Sequence, residues 1–160
     1  MSSLKNFILD VDGVMTDGRF YYSKDGKVMK SFGADDADAL GLLRKYINIE
    51  FISADKRGFD ISRKRIENDM GYKISLVSSA ERINWITKNF NLSEVVFMGD
   101  GVFDHHVMKK VAYSIAPSNG DEYTKSFADY VTNRAGGDRS VSEACFHILD
   151  NFFIDFDRNK

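Results

Sequence analysis

Short apolar runs alternate along this chain with stretches of helical spacing, and that alternation restricts the fold more than any other feature. "NFILDV" (6–11), "INIEFIS" (47–53), "YKISLV" (72–77) and "EVVFMGD" (94–100) read as strands, each ending at a turn or a polar loop. Between them "DDADALGLLRKY" (35–46), "FDISRKRIENDMG" (59–71) and "SSAERINWITKNF" (78–90) read as helices, with Gly71 as a stop and Ser78 or Ser79 as a start. A helix over 103–111, a strand "AYSIAP" (112–117), a short helix over 121–128 and a strand "DYVT" (129–132) continue the pattern. In "SVSEACFHILDNFF" (140–153) Val141, Ala144, Cys145, Ile148, Leu149 and Phe152 form one continuous apolar face, as a helix packed on a sheet requires. Strands alternating with helices build a parallel sheet covered on both faces. The expected fold is therefore α/β, a doubly wound, Rossmann-like sheet. Only "GRFYYSKDGKVMKSF" (18–32) departs from the rhythm: it predicts a β-hairpin inserted after strand one, with Asp25-Gly26 as the turn pair.

The 160 residues suit one domain with a real core, taken as residues 1–160. A net charge of −2 gives no electrostatic case for nucleic acid or an anionic membrane surface. No apolar run is long enough to span a bilayer, and "MSSLKNFILDVDG" does not read as a signal peptide, so a cytoplasmic location is expected. The single cysteine, Cys145, excludes an internal disulfide and reads as a core thiol.

The chemistry lies in two acidic loops. Asp10 and Asp12 follow strand one, and Asp100 follows "VVFM" with Asp104 four residues on. Ligands of open α/β sheets bind beyond the carboxyl ends of the strands, so loops ninety residues apart in sequence can meet there. Like charges gathered in this way need a cation between them, and a hard ion such as Mg²⁺ takes carboxylate oxygens. Gly13 and Gly101 allow close backbone approach to a ligand, and the Ser53 hydroxyl with exposed loop N–H groups would suit a phosphate.

"DVDGVMTDG" and "GDGVFD", in this order and separation, resemble the haloacid dehalogenase superfamily of phosphohydrolases. The hairpin, "FGADDADALGLL" and "ADYVTNRAGGDRSVSEAC" resemble its small branch without a sizeable cap domain, which acts on phosphates of eight- and nine-carbon ulosonic acids. The resemblance covers roughly residues 5–150 and implies a Mg²⁺-dependent sugar-phosphate phosphatase. Asp10 would be the nucleophile and Asp12 the general acid and base. The metal would sit between Asp10, the Asp12 carbonyl and Asp100, with Asp104 behind them, and Ser53 and Gly13 would serve the phosphate. The basic residue of the third motif is Arg82 or Lys56. Homotetramers in which neighbouring hairpins cover the sites are implied as well, consistent with the many apolar groups on the 18–32 ribbon. Lipopolysaccharide or related surface-polysaccharide synthesis is the implied setting.

The chain departs from that branch at "GDG" in place of "GDD", at Ala54-Asp55 in place of Gly-Arg, and at Asp35 in place of a basic residue. Alternatives are a non-catalytic binding or regulatory subunit on the same fold, a phosphatase for a different sugar phosphate, and a mutase. Asp17 reads as turn chemistry at the hairpin entry. His105 and His106, as helix neighbours, are expected to point apart. "KRGFDISRKR" (56–65) reads as a solvated face, and Arg134 or Arg139 as a possible substrate contact.

Overall fold

The computed structural model describes residues 4–157; residues 1–3 and 158–160 of the expected span lie outside them. Strand β1 (Asn6–Asp10) is central in a six-stranded parallel sheet. A hairpin follows, β2 (Tyr21–Ser23) and β3 (Gly26–Met29), and then helix α1 (Asp35–Leu43) and β4 (Asn48–Ser53). Helix α2 (Phe59–Arg63) continues into a wide π-helical segment, Lys64–Asp69, that leads to β5 (Lys73–Leu76). A 3₁₀ turn at Ser79–Glu81 opens α3 (Arg82–Asn89), which precedes β6 (Val95–Met98). The chain ends with α4 (His105–Met108), β7 (Tyr113–Ala116), α5 (Glu122–Lys125), β8 (Tyr130–Val131) and α6 (Ser140–Phe152). The sheet order is β5-β4-β1-β6-β7-β8.

This is the expected doubly wound sheet, and its central strands explain why the sequence reads as unbroken apolar runs. Phe7 and Leu9 of β1 enter one core with Phe51, Val96, Met98 and Ile115, under α1 and α6. Ile8 enters a second core on the other face with Ile52, Val95 and Phe97, under Ile86 of α3 and Val107 and Met108 of α4. A strand buried on both faces has no position for a polar residue until it reaches its end.

Helix α6 buries the predicted face, Val141, Ala144, Cys145, Ile148 and Leu149, while Phe152 is only partly buried and meets the Tyr113 ring edge-on. Its start is capped from another helix: the Asp36 carboxylate of α1 accepts the Ser142 N–H at 2.8 Å. Burial, then the nearby Asp35 and Asp138 charges, raise the Asp36 pKa against that bond. The hairpin turn differs from the expectation by one residue. Lys24 and Asp25 form it, held by the Asp25 N–H donating to Ser23 Oγ, and Gly26 pairs with Ser23 as the first residue of β3. Gly26 takes φ +122°, a conformation open to glycine, so the pattern's Asp-Gly marks the turn's exit. The hairpin exposes Tyr21, Tyr22, Val28 and Met29.

Replacing fully buried Ile148 by alanine is expected to cost about 2–5 kcal/mol, read as a lower urea midpoint with an unchanged slope. A cost below about 1 kcal/mol would mean that α6 is not close-packed on the sheet.

Candidate active site

The strands deliver their polar ends to one edge of the sheet. Asp10 is the last residue of β1, Ser53 the last of β4, and Asp100 follows β6 by two. The loop after β1 is wound tightly: Val11 C=O accepts from the N–H groups of Val14, Met15 and Thr16, and Thr16 Oγ1 accepts from Gly13 and Gly18. Asp17 shapes the exit through the Arg19 N–H, as its turn reading predicts. Gly13 has φ +86°, and a Cβ there would lie 2.0 Å from Asp100 Oδ2, so only glycine lets the second acidic loop close over the first. Asn119 ties this contact down by donating to Gly13 C=O and accepting from Gly136 N–H.

Arg82, the first residue of α3, is buried and enters from below. Its two terminal nitrogens reach Asp10 Oδ2 at 2.8 Å and Asp104 Oδ1 at 2.6 Å. Asp104 also accepts the Gly101 N–H at 2.9 Å, so it holds both the second loop and the arginine. Asp10 keeps its other oxygen on the Val11 N–H. Of the two candidates for the third basic position, Arg82 lines the cleft between the carboxylates, whereas Lys56 is exposed and does not line it. Arg139 pairs with Asp35 and half-exposed Arg134 faces Asp138; neither lines the cleft. Ser53 is buried, donates to Asp12 Oδ2 at 3.0 Å and accepts the Asp55 N–H, so its hydroxyl is already engaged by the acidic loop. His105 and His106 do not diverge: their rings lie 4.0 Å apart, with His105 Nδ1 at 2.9 Å from Val102 C=O.

The sequence reading missed two hairpin lysines. Lys30 Nζ, with its side chain fully buried, contacts Asp12 Oδ1 at 2.6 Å and Asp55 Oδ2 at 2.8 Å, and donates to Ser62 Oγ. Lys27 reaches Asp55 Oδ1 at 2.5 Å and sits over the Phe20 ring, 3.2 Å from its centre. Strand spacing gave no signal for either, because a lysine in a hairpin arm ordinarily faces water. Despite burial that pushes it up, Lys27 and Lys30 hold the Asp55 carboxyl below its usual range.

These residues surround an open cleft of about 450 Å³, lined by Asp10, Asp12, Asp100 and Arg82 together with the apolar Phe20, Val102 and Phe103. Burial, opposed by Arg82 and reinforced by Asp104 and Asp12, raises Asp10 to about 7. Burial together with Asp10 and Asp104 raises Asp100 to about 8. Oxygens of Asp10, Asp100 and Asp104 lie within 4.8 Å of one another. Carboxylates that crowd until they retain protons form a donor set suited to a hard divalent cation such as Mg²⁺. Asp104 is committed to Arg82 and Gly101, which leaves Asp10 and Asp100 as the side chains that would hold the ion.

Residues 81–144, which include Arg82, Asp100 and Asp104 but not the first acidic loop, match the model of the haloacid dehalogenase-like hydrolases. The second acidic loop lies within that match, and the chain is similar to this family in fold as well. In sequence, the chain is similar to the 3-deoxy-D-manno-octulosonate 8-phosphate phosphatases of Salmonella typhi (28% identical, over 92% of this chain and 80% of the relative) and Escherichia coli K12 (29%, over 92% and 80%). The crystal structure of the Moraxella catarrhalis phosphatase of that name, in complex with magnesium, phosphate and KDO, superposes with TM-score 0.80 at 26% identity, over 93% of this chain and 87% of that one. A putative hydrolase of the same superfamily from Legionella pneumophila gives TM-score 0.82 at 28% identity, over 93% and 84%.

In metal-free protein, Asp10 and Asp100 bind protons up to about pH 7 and 8, whereas the unfolded carboxyls lose theirs near 3.8. Over that window the folded state holds more protons, so these two groups make stability fall as pH rises. A cation bound to the ionised pair must displace those protons. The rise in melting temperature produced by a fixed Mg²⁺ concentration is therefore expected to be larger at pH 8 than at pH 6, and to vanish in Asp100→Asn. Equal rises at both pH values would count against Asp10 and Asp100 as ligands.

Proposed function

We propose that the chain is a Mg²⁺-dependent phosphatase that hydrolyses a sugar phosphate monoester through an aspartyl-phosphate on Asp10. The observation that carries this reading is Arg82 bound at once to Asp10 and Asp104, with Asp100 beside them. An arginine so placed offsets the charge of a carboxylate nucleophile and fixes its position at the cleft. A Mg²⁺ ion held by Asp10, Asp100 and the Asp12 carbonyl would supply the positive charge that allows an anionic phosphate to approach an anionic nucleophile.

In the first step an Asp10 oxygen bonds to phosphorus as the ester P–O bond breaks, and Asp12 gives its proton to the departing sugar oxygen. Val11 N–H and Arg82 fix the Asp10 carboxylate while this happens. In the second step water bonds to phosphorus, Asp12 takes the water proton, and the bond to Asp10 breaks to release phosphate. Asp12 suits both roles because it lines the cleft beside Asp10, with its second oxygen fixed by Ser53.

The finer reading is an eight- or nine-carbon acidic sugar phosphate used in lipopolysaccharide or related surface-polysaccharide synthesis in the cytoplasm. The similarity to 3-deoxy-D-manno-octulosonate 8-phosphate phosphatases supports it. Asp55 favours a second reading, a phosphatase for a different sugar phosphate. It stands where that branch has arginine, and with Asp12 it pairs Lys27 and Lys30 behind the cleft, so no unpaired cation among the cleft-lining residues awaits a substrate carboxylate. The non-catalytic alternative arose from the third motif, and a buried Arg82 between Asp10 and Asp104 favours the catalytic reading over it.

Phosphate release from a panel of sugar phosphates, including eight- and nine-carbon ulosonate phosphates, tests the reading. Release is expected with Mg²⁺, to stop with EDTA, and to fall by at least about a thousandfold in Asp10→Asn. Release that survives in Asp10→Asn would overturn the assigned nucleophile. The exposed Tyr21, Tyr22, Val28 and Met29 support a homotetramer assembled through the hairpins, with each flap covering a neighbouring cleft. Light scattering at micromolar concentration should give four times the 18.2 kDa chain mass, and a monomer would overturn the assembly.

A further inference from the structure

Lys30 stands out among the charged groups outside the core chemistry. Its side chain is wholly buried, although it comes from an otherwise exposed hairpin. Burying an ammonium is costly unless its charge and its hydrogen-bonding capacity are met on the spot. Here they are met by Asp12 Oδ1, Asp55 Oδ2 and Ser62 Oγ at 2.6, 2.8 and 2.8 Å. The two carboxylate contacts are charge contacts, and the directed hydrogen bond goes to Ser62. Ser62 therefore aims the ammonium from the α2 side.

The consequence falls on Asp12. Ser53 Oγ grips its Oδ2 from the end of β4, and Lys30 Nζ lies against its Oδ1 from the hairpin. A carboxylate held at both oxygens from opposite sides has its plane and its tilt fixed. Oδ1 is buried against Lys30, which leaves Oδ2, beside its bond from Ser53, as the oxygen that would carry the proton. If anchoring the hairpin were the only task, Lys27 on Asp55 and the Thr16–Phe32 bridge at its base would already serve.

We propose that Lys30 is a positioning residue for the acid–base carboxylate Asp12, delivered by the hairpin of the same chain, so that the hairpin's docking completes the proton-transfer geometry. This rests on the phosphatase reading above. The ammonium itself neither touches the phosphate nor transfers a proton. It orients the group that does, and loss of it should matter in proportion to how much a leaving group needs a proton.

The test compares Mg²⁺-loaded full-length wild type, Lys30→Met and Ser62→Ala on phenyl phosphate and p-nitrophenyl phosphate. Both are phosphate monoesters, but p-nitrophenolate departs without help and phenolate is the poorer leaving group. The parameter is kcat/KM, which reports events up to the first irreversible step, the departure of the phenol. Lys30→Met is expected to lose about tenfold more on phenyl phosphate than on p-nitrophenyl phosphate. Ser62→Ala, which keeps every charge, should shift the same ratio in the same direction by a smaller factor, and it decides the matter should Lys30→Met fail to fold. Equal losses on the two esters would make Lys30 a structural anchor only and overturn the inference, as would no loss. A wild type inert on both esters and on the sugar-phosphate panel would overturn the phosphatase reading, and this inference with it.

Discussion

Five carboxylates, Asp10, Asp12, Asp55, Asp100 and Asp104, converge on one cleft, and the rest of the site is arranged to make that tolerable. Three cations do most of it, each from a different segment: Arg82 from the start of α3, and Lys27 and Lys30 from the hairpin. The balance is unequal across the cleft. Asp12 and Asp55 are matched by lysines, whereas Asp10, Asp100 and Asp104 share a single arginine, and burial leaves Asp10 and Asp100 holding protons near neutral pH. In the proposed reading, the uncompensated side would hold the divalent ion, and the compensated side would hold the proton-transfer group in a fixed position.

Much of this was legible in the sequence, for physical reasons that differ by element. The parallel sheet was legible because a strand buried on both faces can hold only apolar residues, as β1 and β6 do. The face of α6 was legible because a single apolar stripe at helical spacing has few other uses. Asp10, Asp12 and Asp100 stood out because acidic residues recur at the ends of two such strands, beyond what one strand-end turn would explain. Arg82 and Lys56 could not be separated by spacing, since both follow strand ends; the start of α3 turns one inward and leaves the other in water.

The rest was hidden because it depends on contacts between distant segments. Lys30 looks like any hairpin lysine until Asp12, Asp55 and Ser62 surround it. Asp36 looks like first-turn acid on α1, and its bond to the Ser142 N–H exists only once α1 and α6 pack together. The one-residue error at the hairpin turn has a local cause: a positive-φ glycine serves equally well inside a turn or just after it.

The sheet order has a consequence for how the chain meets metal ions before it is finished. Because β6 pairs directly with β1, Asp10 and Asp100 become neighbours only when these two strands, some ninety residues apart in sequence, have docked on each other. Neither acidic loop gathers the pair alone, and Gly13 brings them together only at closest approach. A half-made chain therefore offers scattered surface carboxylates with ordinary, weak affinity for cations. A cation held by Asp10 and Asp100, as proposed, would in effect read a certificate of completed folding, and would select whole molecules from partial ones.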